Sequence, residues 1–268
     1  MSDSDNEGGV PLIEPQFSGA KKRKRNNDSE ARKEKKRRRN KKPNDIHEDD
    51  LDEELGVNLA IGRMDGDLMV NYVARRTKKF EPDLSPVELD ELYLPAKSVR
   101  DTSSWDKPRT LDNLPSFVRE FADKDENLEL AKQDPGCPHT IVVAAAGIRA
   151  ADLTRALRVF QSKKESGGKV TKLFAKHIKL KEAIEECRKT RISLGVGTPQ
   201  RIHDLLEDGA LSAKHLKRII IDASYIDQKK RGILDMKETE IPLVKLLTRK
   251  DLRERYEDAT SPVKLLFY

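Results

Sequence analysis

From Ile141 onward the chain alternates short, continuous apolar runs with stretches of helical periodicity, and that alternation leaves few folds open. Residues 141–146 form a run of the kind that a strand buried on both faces shows. Leu153, Leu157 and Phe160 then fall at helical spacing. Residues 170–174 predict a second strand, and Leu180, Ile184 and Cys187 a second helix. A third strand over 191–196 and a third helix over 198–206 follow, then a strand over 218–222. Helix is predicted from 241 to about 256, and the chain closes on the strand-like VKLLFY. Strands separated by helices at these intervals require right-handed crossovers, hence a parallel sheet with helices on both faces. Ligands of such sheets bind at the carboxyl ends of the strands.

Upstream the pattern differs. Ile61, Met64, Leu68 and Tyr72 recur at helical spacing, with Met69 and Val73 widening the stripe, which predicts one helix through about Lys79. Ser85-Pro86 with Glu88 reads as a helix start. Pro95, Pro108 and Pro115 divide the next stretch into short pieces. Trp105, the sole tryptophan, with Leu111, Leu114, Phe117 and Phe121, is expected to clamp this extension onto the main domain. No internal repeat is visible.

Charge is strongly segregated. Residues 21–42 carry 14 Lys/Arg and three acids, while 1–20 carry four acids and 45–54 seven. Charged side chains make up 37% of the whole, against about 25% in an ordinary domain. Blocks of like charge without apolar periodicity cannot bury a core, so residues 1–54 are expected to be disordered. Two basic clusters, Lys21, Lys22, Arg23, Lys24, Arg25 and Lys35, Lys36, Arg37, Arg38, Arg39, resemble a bipartite nuclear import signal. They would equally suit a phosphate backbone, and a merely solubilising tail is the plainer alternative. The expected organisation is a charged tail over 1–54, a helical or irregular extension over 55–135 and an α/β domain over 136–268.

Several classes fall away. The longest charge-free apolar stretch, residues 141–148, is far short of the ~20 residues that a membrane helix needs, and the N-terminus is acidic where a signal peptide would be basic. Cys137 and Cys187 cannot build a disulfide framework, and no Cys-x-x-Cys or paired-His spacing offers a zinc site. A soluble protein of a reducing compartment is expected, with no metal and no cofactor.

Two strand ends carry motifs. In Gly195-Val196-Gly197-Thr198-Pro199-Gln200-Arg201 a strand stops, Gly197 permits a sharp turn, Thr198 can cap the next helix and Pro199 suits its first position. A helix start with a hydroxyl and Arg201 nearby suits a phosphate. This VGTPQR resembles the V-G-T-P-G-R of the first RecA-like domain of DEAD-box RNA helicases, which touches RNA backbone. RIIIDAS stands where those helicases have V-L-D-E-A-D, and IVVAAAGIRAADL about where they have P-T-R-E-L-A, with Arg149 the matching residue. The resemblance thus implies RNA contacts at Arg149, Thr198, Pro199 and Arg201. Helix capping with a solvated Arg201, and a surface Arg149, are the simpler accounts of the same residues. Lys172, Lys176, His177, Lys179 and Lys181 add a basic stretch around Phe174.

The departures from that family bear on catalysis. No G-x-x-x-x-G-K-[ST] string occurs, and Ser166-Gly167-Gly168-Lys169 is followed by Val170 where a magnesium-binding hydroxyl is needed. The acidic motif has degenerated to Asp222, Ala223, Ser224, Tyr225, with alanine in place of the glutamate that activates water. ATP hydrolysis and unwinding are therefore not expected.

Together with the basic, acid-flanked N-terminus, the segments GVNLAIGRMDGDLMVNYVARRTKKF, SPVELDELYLP, RAADLTRALRVF, KLFAKHIKL, VGTPQRI and DQKKRGILDM resemble the Cms family, also called CMSS, of eukaryotic pre-ribosome proteins. The resemblance implies a degenerate RecA-like domain and a non-catalytic factor of the small-subunit pathway, associated with the 90S pre-ribosome in the nucleolus. Its expected partners are pre-ribosomal RNA, small-subunit pre-ribosome proteins and, through the basic tail, nuclear import receptors, with no membrane and no small-molecule substrate. The alternative is a nucleotide-dependent helicase accessory, or a DEAD-box-like ATPase completed by a partner.

Overall fold

The computed structural model describes residues 50–268 apart from positions 165, 166, 176 and 177. The basic clusters between Lys21 and Arg39, together with Ser166, Lys176 and His177, lie outside the described residues. The apolar runs become the strands β3 (Thr140–Val143), β4 (Lys169–Leu173), β5 (Ile192–Gly197), β6 (Arg218–Ile221) and β7 (Lys264–Phe267). They pair in the order β4-β5-β3-β6-β7, every pair parallel. β3 lies centrally, with Val142 opposite Val196 on one side and Ile220 on the other. All four residues of β3 and of β6 are buried, as an inner strand covered on both faces demands.

An antiparallel pair precedes the sheet. β1 (Leu51–Asp52) pairs with β2 (Val57–Asn58), so part of the stretch expected to lack structure is ordered. The predicted single helix is two: α1 (Leu59–Gly62) and α2 (Gly66–Phe80). Asp65 makes the break, its carboxylate accepting from Leu68 N as the N-cap of α2. The buried stripe of α2 is then Met69, Tyr72, Val73 and Thr77, while Leu68 is 56% exposed. α3 (Pro86–Glu91) starts at the expected capping box, with Ser85 Oγ accepting from Glu88 N and Glu88 Oε2 from Ser85 N.

α4 (Leu114–Glu120) and α5 (Gly147–Leu157) cover one face of the sheet. Leu114, Phe117, Phe121, Leu153 and Leu157 cluster there with Val142, Val196, Ile220, Leu266 and Tyr268, and Trp105 and Leu111 pack against them, which is the expected clamp. Trp105 meets Phe117 edge-on at 5.5 Å. The chain steps from β3 outward to β4, then reverses through β5 and β6 to β7. Right-handed crossovers therefore put α6 (Leu180–Lys189), α7 (Pro199–Asp208) and α8 (Lys237–Leu247) on the face opposite α5. α9 (Lys250–Tyr256) leads into β7, and the helix predicted through this stretch breaks at Thr248 and Arg249.

The extension is part of the same body as the sheet. α2 packs on α8, Val57 bridges Tyr225, and Val99 makes a parallel bridge to Leu265 while Arg100 N donates to Leu265 O. Residues 99 and 100 thus continue the sheet beyond β7 as a rudimentary sixth strand.

Candidate interaction site at the carboxyl ends of the strands

At the end of β6 the backbone turns sharply inward. Asp222 N donates to Val143 O, and the amides of Ala223 and Ser224 both donate to Tyr268 O at 2.7 Å. The extension then closes over this turn, with Asn58 N donating to Ser224 O and Ile226 N to Gly56 O. Asp222 is left 1% exposed. A carboxylate so placed must be paired.

Its partner is Arg149, in the first turn of α5 at the end of the adjacent strand. Nε donates to Asp222 Oδ2 at 2.7 Å and Nη2 to Oδ1 at 3.0 Å, a bidentate fork. The other side of the guanidinium lies 4.0 Å from the Tyr225 ring centroid. Burial works against the arginine's charge, and the Asp222 hydrogen bonds more than offset it, so its pKa stands above the usual value. The sequence leaves Arg149 between a backbone contact and a surface arginine. The structure gives it a buried role, 8% exposed and bound to Asp222.

The second strand end is organised by a close approach. Gly197 has ordinary backbone angles, and its need for glycine is spatial: a Cβ there would stand 2.0 Å from Leu173 O. The expected sharp turn is thus replaced by tight packing of β4 against β5, continued by Thr198 N donating to Leu173 O. Thr198 is the N-cap of α7, yet its hydroxyl makes no cap hydrogen bond. It stays half-exposed while Pro199, in the first turn, is buried. Arg201 folds under the preceding loop and donates from both terminal nitrogens to Ile178 O at 3.1 Å. That bond fixes the approach from β4 to α6 beside the start of α7.

These contacts bring the loop before α6 and the start of α7 together. Around them Lys179, Lys181 and Gln200 are exposed, Lys172 is exposed on β4 with the parity of Val170 and Phe174, which pack on the α5 side, and Ile148, one residue before Arg149, is 66% exposed. Arg149, Asp222 and Tyr225 form a separate, closed cluster. Among the described residues no group of His, Cys, Asp and Glu has the geometry to hold a metal ion, and no helix is long and apolar enough to cross a membrane.

Residues 18–268 match the family described as CMS1, U3-containing 90S pre-ribosomal complex subunit. The chain belongs to the CMS1 family. It is 54% identical over 228 residues to Protein CMS1 of Chaetomium thermophilum, covering 85% of this chain and 90% of that one. It is 33% identical over 202 residues to Protein cms1 of Schizosaccharomyces pombe, covering 75% and 68%. Among solved structures it is similar to a DEAD box protein from the hyperthermophile Methanococcus jannaschii, at 17% identity with a TM-score of 0.33, over 69% of this chain and 48% of that one. Membership of the CMS1 family supports a role in ribosome biogenesis.

Proposed function

We propose that this CMS1-family chain is a non-catalytic assembly factor of the small-subunit pathway that holds pre-ribosomal RNA through a degenerate RecA-like domain. The observation that carries the reading is the Arg149–Asp222 pair. The one acid of the degenerate motif spends both oxygens on a neighbouring arginine and lies under residues 56–58, where neither a metal-bound phosphate nor a water has access to it. With alanine at 223 the motif also has no base. The fold keeps the scaffold of a nucleotide-driven machine while its acidic strand end serves stability.

RNA contact then falls to the accessible strand ends. Thr198, with a hydroxyl that does not cap, and Lys172, Lys179 and Lys181 supply a donor and three charges suited to backbone phosphates, which position without reading sequence. Arg201 and Pro199 shape this surface from beneath, while Arg149 braces the neighbouring strand end through Asp222. The basic tail adds nuclear import, through import receptors, and salt-sensitive affinity for the same RNA in the nucleolus. Small-subunit pre-ribosome proteins dock on the remaining surface.

Binding of the full chain to single-stranded pre-ribosomal RNA tests the reading, alongside Lys172→Glu/Lys179→Glu/Lys181→Glu and a variant with the Lys and Arg of residues 21–42 changed to Gln. The folded-surface variant should bind at least about tenfold more weakly. Affinity that follows the tail alone would make the folded region a protein-docking module, and RNA-stimulated ATP hydrolysis by the pure chain would overturn the non-catalytic assignment.

A further inference from the structure

At the ends of β6 and β7, away from the Thr198 surface, lies a cavity of ≈ 270 Å³ lined among others by Arg63, Trp105, Lys107, Arg109 and Ser224. Arg109 has a side chain held deep in the protein. One terminal nitrogen donates to Phe267 O, and the other to Thr102 O at 3.0 Å, Thr102 Oγ1 at 3.1 Å and, more weakly, Gly62 O at 3.4 Å. All of these acceptors are neutral. Among the described residues no carboxylate forms an ion pair with Arg109, and its buried charge is offset only at longer range by Asp101 and by the Phe117 ring, whose centroid is 5.5 Å away, a weak balance for a buried ion. Its Nε also has no acceptor, and it faces Gly62, where a Cβ would come within 3.1 Å.

Two more polar groups on the same wall are unsatisfied. Ser224 is 1% exposed and its Oγ has no hydrogen-bond partner, and Trp105 Nε1 is buried without an acceptor. Buried side-chain donors are nearly always paired, and of the three buried side-chain atoms left unpaired among the described residues, two belong to residues that line this cavity and lie just behind its wall. Lys107 stacks on the Trp105 ring with Nζ 5.5 Å from its centroid, at the cavity's rim. Asp106 is the acid among the lining residues, while Arg63 is tied to Asp50.

We propose that this cavity is a binding site for a phosphate-type oxyanion. One tetrahedral anion supplies what the wall lacks: a negative charge for Arg109 and Lys107, an acceptor for Arg109 Nε and, with a small shift of the wall, acceptor oxygens for Ser224 Oγ and Trp105 Nε1 just behind it. The volume lies just below the ~300–1,000 Å³ of sites for drug-sized ligands, and it suits a free ion or the phosphate of a small ester. The site does not depend on the RNA surface described above, and it uses no phosphate-loop motif.

The sole tryptophan lines the cavity, which makes intrinsic fluorescence of the full chain a direct reporter. Sodium phosphate is titrated at constant ionic strength against sodium chloride, with thermal unfolding recorded in the same samples, and adenosine monophosphate is run as a parallel arm. The expected result is a saturable response to phosphate in at least one of the two readouts, with none to chloride. It should be weakened about tenfold or more in Ser224→Ala/Lys107→Ala, which keeps Trp105 and Arg109. Equal or tighter binding of the monophosphate would assign the occupant as a nucleotide's phosphate, and phosphate alone as the free ion. No saturable response in either readout, or one unchanged in the double variant and so due to the basic tail, would overturn the proposal.

Discussion

Arg149 and Asp222 stand 73 residues apart in the chain and meet at the ends of neighbouring strands through two parallel hydrogen bonds, 2.7 and 3.0 Å long. The pair joins α5 to the turn after β6, and Tyr225 covers its outer side. Pairing explains how an acid that is 1% exposed is tolerated at this strand end.

Breaking that pair from one side leaves an uncompensated buried charge. Arg149→Ala and Asp222→Ala are each expected to lose about 3–5 kcal/mol of stability, whereas Arg149→Met/Asp222→Leu should lose much less than the sum. Urea unfolding of the three variants measures this. Single variants within about 1 kcal/mol of the parent would mean that the pair contributes little.

Glu240 gives a pH dependence. Thr77 Oγ1 lies 2.6 Å from Glu240 Oε1 and 3.1 Å from Val73 O, and one hydroxyl proton serves only one of them. A protonated Glu240 resolves this by donating to Thr77 while Thr77 donates to Val73 O. Burial raises the Glu240 pKa from 4.5 to about 7, against a smaller lowering by the Thr77 hydrogen bond. Because the folded-state value is the higher one, the contribution to stability is full below about pH 4.5 and is lost as pH rises toward 7. The docking of α2 on α8 should therefore weaken across that interval, by on the order of 2 kcal/mol. Glu240→Gln should flatten this part of the profile and be the more stable protein at pH 8. Denaturant midpoints of both proteins from pH 5 to 8 give the comparison, and parallel profiles would contradict it.

Gly197 and Gly209 separate space from conformation. A Cβ at 197 would overlap Leu173 O at 2.0 Å, whereas Gly209 has φ +77° and nothing within 4 Å of its added Cβ. Gly197→Ala should cost more than about 3 kcal/mol and disturb the pairing of β4 with β5. Gly209→Ala, at the C-cap of α7, should cost about 1 kcal/mol. Thermal unfolding orders the two, and the reverse order would refute the spatial argument.

The sequence was most legible where burial is two-sided. β3, β5 and β6 are buried at every residue and dominated by Ile, Val and Leu because inner parallel strands have no solvent face, and their residues identified the sheet directly. The capping box at Ser85 and Glu88 was readable because it is local. The break at Asp65 was hidden because apolar spacing runs on across it, and a side chain that caps leaves no mark in the periodicity. The partners of Arg149, Arg201 and Arg109 were not legible at all. Each is chosen by tertiary proximity, with Asp222, Ile178 O and Phe267 O lying 73, 23 and 158 residues away. A cavity assembled from residues 57–63, 103–109 and 224 leaves no sequence motif for the same reason.

Salt separates the two basic regions. Changing the 14 Lys/Arg of residues 21–42 to Gln should flatten the dependence of log affinity on log salt by several units, since each phosphate that the protein neutralises on single-stranded RNA adds roughly 0.7 to the slope. Lys172→Glu/Lys179→Glu/Lys181→Glu should change the slope by no more than about two units while lowering affinity at every salt concentration. Filter binding between 50 and 300 mM salt, concentrations chosen to span roughly the range over which such slopes are read, distinguishes them.

Ultraviolet crosslinking of the full chain in growing cells, with sequencing of the attached RNA, tests the RNA-holding assignment most directly. Crosslinks should concentrate on the precursor of the small-subunit RNA and fall sharply in a variant carrying Thr198→Ala with Lys172→Glu, Lys179→Glu and Lys181→Glu. Crosslinks that persist unchanged in that variant and disappear only when residues 21–42 are neutralised would contradict the account.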